Sequence, residues 1–292
     1  MNTYLDCIPC FFKQALDAAR MNNIDADVQR NLINEIAQLI PGFDLSYSPV
    51  IMAGEVHRLI KQHVGSDDPY SEIKKQSNQK AMEIIPRLQK KITAASDPLR
   101  LAIEYAIAGN LIDFGAKTGL NIDNEINGIV AKEEQAISKE KPELFQYESF
   151  LNTLAGAETL LYLGDNAGEV AFDRLLVDEI HRHFPDIHIY FATRGSPIIN
   201  DITPEDAYFC GIDASAEIIS SGVALPGCVL EEAGPEFRTL FAECDCVVSK
   251  GQGNFEALSD VERTIYYLFM AKCSVIADVV GAEVGSVLLL KN

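Results

Sequence analysis

Near Asn152 the chain changes its hydrophobic period, and that change limits the folds open to it more than any other feature. Before it, apolar residues recur at three and four in "CFFKQALDAAR", "VQRNLINEIAQLI", "VIMAGEVHRLIKQHV", "KAMEIIPRLQKKI" and "LRLAIEYAIAGNLIDFGA", the spacing of amphipathic helices. Breaks fall at Pro41-Gly42, "GSDDPY" and "ASDP", where Asp or Ser beside Pro suits a turn and a helix cap. After Asn152 come short apolar runs, "TLLYLG", "IHIYFATR", "AEIISSG", "CDCVVSKG" and "CSVIADVVG", each leading into a polar or glycine-containing loop. Helix-length segments are expected near 169–184, 230–242 and 256–271, and "SVLLLK" reads as a closing edge strand. Continuous apolar strands alternating with helices predict a mostly parallel sheet covered on both faces. The expectation is an all-helical part over 1–152 and an α/β part over 153–292.

A chain of 292 residues is long enough for two such domains. Hydrophobic residues at 48% and charged residues at 23%, with no run of eighteen apolar residues, point away from disorder and from a membrane span. The formal charge of -19 would repel a phosphate backbone, so nucleic acid is not an expected partner. The same field disfavours small anions unless a cation reverses the potential inside one cleft. "MNTYLDCIPCFF" lacks the features of a signal peptide, so a cytoplasmic location is expected. Of seven cysteines, Cys210, Cys244, Cys246 and Cys273 lie in or beside apolar segments, and reduced thiols are the default reading. "KEEQAISKEKPELF" reads as solvated surface.

In an open parallel sheet, ligands gather beyond the carboxyl ends of the strands. There the chain offers "GDNAGE", "TRGSPIIND", "SSGVALPG" and "SKGQGNFE". Asp165 and Asn166 supply a carboxylate and an amide oxygen, suited to magnesium or manganese, and Asp201 could close the site from the next loop. A cation there would relieve the repulsion between neighbouring carboxylates. Read alone, "DN" after a strand is equally a turn, and Glu169 equally an acid in a first helical turn. Gly168 and Glu169 open a helix whose free N–H groups favour an anion, and Lys250 can add a positive charge at that edge. Lys250 also reads as an ordinary surface lysine, and Asn254 and Glu256 as helix-start residues. Asn110 and Asp113 suit a buried pair or cap. Tyr4, Cys7 and Cys10 form a lone Cys-x-x-Cys segment, whose first reading is structural and whose second is metal. His57 and His63 read as helix-surface residues, and His181, His183 and His188 fall at the opposite edge of the sheet from these loops.

Taken in order, "AGNLID", "YLGDNAGEVAFDRLLVDEI", "RGSPIINDIT" and "SKGQGNFEAL", with "DPY" followed by Lys74 and Asn78, resemble the damage-control phosphatase family, long catalogued as domain of unknown function 89. The ending Gly-Asn-Phe-Glu and the N-terminal "CIPC" are similar to its prokaryotic-type branch, and the Arg-Thr-x-Lys signature of another branch is not seen. The resemblance implies a helical domain joined to a three-layer α/β/α domain with a Rossmann-like, mostly parallel sheet. It also implies a metal-dependent phosphatase of small phosphorylated metabolites, either sugar phosphates or damaged phosphometabolites, using manganese, magnesium, cobalt or nickel. It carries metal binding to Asp165, Asn166 and Asp201, with Asp165 and Asp201 catalytic. It places Asn110, Asp113, Gly168, Glu169, Arg194, Lys250, Gly251, Asn254 and Glu256 in the substrate pocket. Two routes to hydrolysis stay open, attack by an activated water and a covalent intermediate on Asp165. The rival readings are an S-adenosylmethionine-dependent methyltransferase and a sugar-phosphate sensor without turnover. Oligomeric state is left open.

Overall fold

Local signals set the helix boundaries of the first half. The computed structural model describes residues 1–109 and 143–292. Helix α1 (Ile8–Met21) carries Pro9 in its first turn, α2 is Ala26–Leu39, and α3 (Pro49–Val64) stops at Gly65, where φ is 71°. A left-handed residue there closes a helix at no steric cost when it is glycine. Helix α4 (Ser71–Ala94) precedes α5 (Pro98–Ala108), whose start is capped by Asp97 accepting the Arg100 N–H at 3.0 Å. Helices α1 to α3 bury Phe11, Leu32, Ile36, Met52, Val56 and Ile60 in a cluster of their own. By contrast α4, α5 and α6 (Tyr147–Leu154) bury Leu88, Ile103, Ile107 and Phe150 in the core on one face of the sheet. His57, expected on a helix surface, is instead buried in α3, 3.4 Å from Gln14 of α1. Burial pushes its imidazole down to about 3, so it packs as a neutral ring.

Six strands form one sheet: β1 (Thr159–Leu163), β2 (His188–Thr193), β3 (Glu217–Ser220), β4 (Cys246–Lys250), β5 (Tyr266–Met270) and β6 (Val287–Lys291). Their order is β3-β2-β1-β4-β5-β6, with five strands parallel and β6 antiparallel to β5, so "SVLLLK" is the edge strand expected. The intervening helices are α7 (Glu169–His183), α8 (Pro204–Phe209), α9 (Pro235–Glu243), α10 (Gln252–Leu258) and α11 (Ser274–Val280). Strand β1 sends Leu160 and Tyr162 into the core shared with α4, α5 and α7, and Leu161 and Leu163 into the core on the opposite face. Burial on both sides explains its unbroken apolar run. Among the described residues no helix is long and apolar enough to cross a membrane.

Two expected elements exchange identity. The segment 256–271, read as helix, contains only the end of α10 and then β5, while "CSVIADVVG", read as a strand, is α11. Both are short apolar runs, which periodicity cannot distinguish. Tertiary pairing decides: Tyr266–Met270 is buried throughout between β4 and β6, whereas α11 buries Val275, Ile276 and Ala277 and exposes Val279.

The strand order has a functional consequence. The chain winds outward from β1 to β3, then returns to place β4 on the other side of β1, so the strand order reverses between β1 and β4. A crevice opens at such a reversal, beyond the carboxyl ends. The ring of Phe191 on β2 stacks on Tyr162 of β1, centroids 5.2 Å apart, and both are fully buried beneath that crevice. Phe191→Ala is expected to lower unfolding free energy by about 3–5 kcal/mol, through lost burial and an unfilled cavity. Urea unfolding monitored by circular dichroism measures it.

Candidate active site

Asp165, Asn166 and Asp201 are far apart in sequence, and backbone pairing of two loops brings them together. Asp165 accepts the Ile202 N–H at 2.9 Å, the Ala167 N–H donates to the Asn200 carbonyl at 2.9 Å, and Asn166 and Asp201 form an isolated antiparallel bridge. The β2 loop is held from the far side by Lys61 of α3, which donates to the Pro197 carbonyl at 2.6 Å. Within that loop Ile199 has φ 44°. A β-branched residue is rare there, and such a conformation costs on the order of 1–3 kcal/mol and persists only where its surroundings impose it.

The Asn166 amide is oriented by its neighbours. Its Nδ2 donates to Asp165 Oδ2 at 2.6 Å and to Glu169 Oε2 at 3.2 Å. Both partners are carboxylate acceptors, so the nitrogen faces them and the Oδ1 atom is left for another partner. Asp165 lies close under Gly251, whose φ is 77°, and a Cβ added at Gly251 would overlap the Asp165 carboxylate. Only glycine accommodates both the backbone angle and that approach.

Charge is the dominant feature of the site. Asp165, Glu169, Asp173 and Asp201 are all buried, and so are Arg194 and Lys250. Arg194 Nε donates to Asp201 Oδ2 at 2.7 Å, and its Nη2 lies 3.7 Å from Asp165 Oδ1. Lys250 Nζ donates to Glu169 at 2.6 Å, to Asp173 at 2.5 Å and to the Ala106 carbonyl of α5 at 2.7 Å. Four buried carboxylates thus share two buried cations. Burial, then Glu169 and Asp201, hold the Asp165 carboxyl well above the usual range. Burial lifts Asp201 to about 6 against the pull of Arg194. Two hard carboxyl groups held close together and an amide oxygen suit a divalent cation, which would displace their protons.

These residues open onto a cleft of about 610 Å³, lined by Asp165, Asn166 and Asp201 with Gln252, Glu256 and Lys272. Cys7, just before α1, and residues of α1 and α3, among them Cys10, Phe11 and Val50, form its other wall. A second hollow of about 640 Å³, near Tyr4, Leu144 and Leu290, contains none of the expected site residues.

Several expected roles change with the geometry. Lys250 does not face the cleft, since its three partners lie beneath the site. The N–H groups at the head of α7 are not all open to an anion: Ala167 is paired with Asn200, and Gly168 donates to Asn78 Oδ1 at 2.7 Å. Asn254 is fully buried and ties three loops, donating to the Gly164 and Lys250 carbonyls and accepting the Cys228 N–H. Glu256 does line the cleft, accepts from Gln252 at 2.9 Å, and is raised above the ordinary carboxylate range by burial. Arg194 lies behind the two aspartates as their counter-charge. Asn110, Asp113 and most of "KEEQAISKEKPELF" lie outside the described residues.

Sequence reading passed over Asp173 and Lys272. Asp173 lies one helical turn beyond Glu169, a spacing that signals one shared face. Lys272 follows β5, which was read as helix, so its place at the carboxyl edge was hidden. Asn78 and Lys74, known only as motif residues, fasten α4 to the site: Asn78 bridges Gly168 and Asp206, and Lys74 pairs with Asp68 at 2.9 Å and Asp206 at 3.6 Å.

Lys250→Met leaves Glu169 and Asp173 buried without their cation, so a loss of about 3–5 kcal/mol is expected in urea unfolding. A pH dependence follows from the aspartates. With Asp201 near 6 when folded and 3.8 as its reference, the native state holds more protons across that window than the unfolded chain. Stability of chelator-treated protein therefore falls as pH rises from about 4 to 6. In thermal melts over that range the wild type should lose more stability than Asp201→Asn.

Residues 3–288 match the damage-control phosphatase ARMT1-like domain. An uncharacterized protein of Methanocaldococcus jannaschii is 34% identical over 297 residues, covering 98% of this chain and 94% of that protein. A damage-control phosphatase of Archaeoglobus fulgidus is 30% identical, covering 96% of this chain and 95% of its own. The crystal structure of a DUF89 family protein from Pyrococcus horikoshii superposes with a TM-score of 0.89 at 28% identity, covering 100% of this chain and 99% of that one. Sequence similarity at this level over nearly the full length places the chain in the damage-control phosphatase ARMT1-like domain family.

Proposed function

We propose that this protein is a divalent-metal-dependent phosphatase that hydrolyses small phosphorylated metabolites. The observation that carries the reading is the crowding of the buried carboxyl groups of Asp165, Glu169 and Asp201 at a cleft formed where the strand order reverses. Two like charges out of water are costly, and a bound divalent ion removes that cost. Asp165, Asn166 Oδ1 and Asp201 would hold the ion, with manganese, magnesium, cobalt and nickel as the candidates. When bound, it supplies positive charge for the phosphate oxygens and acidifies water.

The chain's own residues do the rest. Arg194 keeps Asp201 in one orientation, and the Lys250–Glu169–Asn166 relay keeps the amide oxygen turned to the cleft. Lys272, on the cleft wall, adds the positive charge that Lys250 does not deliver there. Glu256 retains its proton to higher pH than an ordinary carboxylate, which suits it to protonate a leaving oxygen. The cleft volume accommodates a small metabolite.

Phosphate release from a panel of phosphomonoesters, after chelation and with each metal added back, tests the proposal. Activity should disappear on chelation and return with at least one metal. Asp165→Asn, Asp201→Asn and Gly251→Ala should each lower it by at least about 100-fold, because even outer partners of metal ligands carry 10–100-fold effects. Full activity in chelator, or an undiminished Asp201→Asn enzyme, would overturn it.

A further inference from the structure

The motif Cys7-Ile8-Pro9-Cys10 takes no part in the chemistry above, yet the fold gives it a definite place. Cys7 has φ -75° and ψ -26°, and Ile8 has φ -59° and ψ -48°, so the chain is already helical as it enters α1. Residues three apart on a helix are neighbours, with about 5–6 Å between Cβ atoms, a small adjustment away from the spacing of a disulfide. Pairing these two thiols needs no movement of one element against another.

Both cysteines line the cleft that holds Asp165, Asn166 and Asp201. Cys273, at the start of α11, reaches the same cleft, and its sulfur receives the Gln252 side-chain amide at 3.7 Å. Cys10 is exposed and Cys7 and Cys273 half-buried, whereas Cys210, Cys228, Cys244 and Cys246 are buried. The buried four act as small hydrophobes, but an exposed thiol has no such packing role.

We propose that Cys7 and Cys10 are a redox pair, joined by a reversible disulfide when a peroxide enters the cleft, and that their joining remodels the cleft wall. Cys10, the exposed member, attacks the peroxide as thiolate, forming a sulfenic acid and releasing water once the departing hydroxide takes up the thiol proton. The Cys7 sulfur then displaces the sulfenic oxygen as a second water. Two S–H bonds are lost and one S–S bond forms; the thiols are oxidised by two electrons and the peroxide is reduced to two waters. Closure draws the Cys10 sulfur, which contacts the Asp6 carbonyl at 3.9 Å, toward Cys7 and alters the wall beside Phe11 and Gln14. Burial pushes both thiols above their ordinary range, so the attacking thiolate is the minor form near neutral pH and pairing quickens as pH rises.

The effect on catalysis rests on the phosphatase reading, but the disulfide does not, and the test separates them. The full chain is treated with hydrogen peroxide, alkylated without unfolding and mapped by peptide mass spectrometry. Wild type and Cys273→Ser should lose two hydrogens between residues 7 and 10 and regain them with dithiothreitol, while Cys7→Ser and Cys10→Ser should not. In parallel, hydrolysis of 4-nitrophenyl phosphate with manganese, magnesium, cobalt or nickel is measured for each protein before and after oxidation. A several-fold rise in KM, confined to the proteins that form the disulfide, is expected. A link from Cys10 to Cys273, or oxidation to sulfinic acid without pairing, overturns the redox pair. Pairing with unchanged KM overturns the remodelling, and pairing in a protein without hydrolysis under any metal overturns the phosphatase reading.

Discussion

Four buried carboxylates with two buried cations is the arrangement on which the rest of this structure depends. Asp165 and Asp201 share Arg194, while Glu169 and Asp173 share Lys250. Glu169 also accepts from Asn166, so the two groups are one network. A protein of net charge -19 gains nothing from adding acids to its interior unless something balances them. The acids gather where two loops and Gly251 meet beside the cleft.

That location is a consequence of topology. Reversal of the strand order between β1 and β4 places Asp165 beside Gly251, and the absence of a Cβ at Gly251 lets the carboxylate occupy the space. The helical half then braces the loops from outside. Lys61 holds the β2 loop, Asn78 holds the head of α7, and α5 offers Lys250 a carbonyl. The helices therefore do more than cover apolar surface: they fix the backbone of the site, and α1 and α3 supply one wall of the cleft.

Much of this was legible in the chain. The helices of the first half follow their 3.6-residue period, and β1, β2 and β4 follow their unbroken apolar runs. Asp165, Asn166 and Asp201 stood out because hard oxygen donors followed apparent strands. The exchange between β5 and α11 was not legible, because short apolar runs satisfy either element. Lys272 was missed with it. The partners of Lys250 were equally invisible: a lysine after a strand reads as a cleft residue until Ala106, Glu169 and Asp173 are found beneath it.

The sequence by itself determined the two hydrophobic periods, the acid-rich composition, the oxygen donors at the strand ends and the family motifs, because each is a property of residues close together along the chain. Only the tertiary structure decided which charges neutralise one another, which way Asn166 turns its amide, that His57 is core and that Cys7 and Cys10 border the cleft. Those outcomes depend on burial and on which partners the fold brings within reach, some of them next along the chain, as Asp165 is to Asn166, and some more than seventy positions away, as Asp173 is to Lys250. Spacing alone does not settle them, because desolvation and pairing act on the folded neighbourhood.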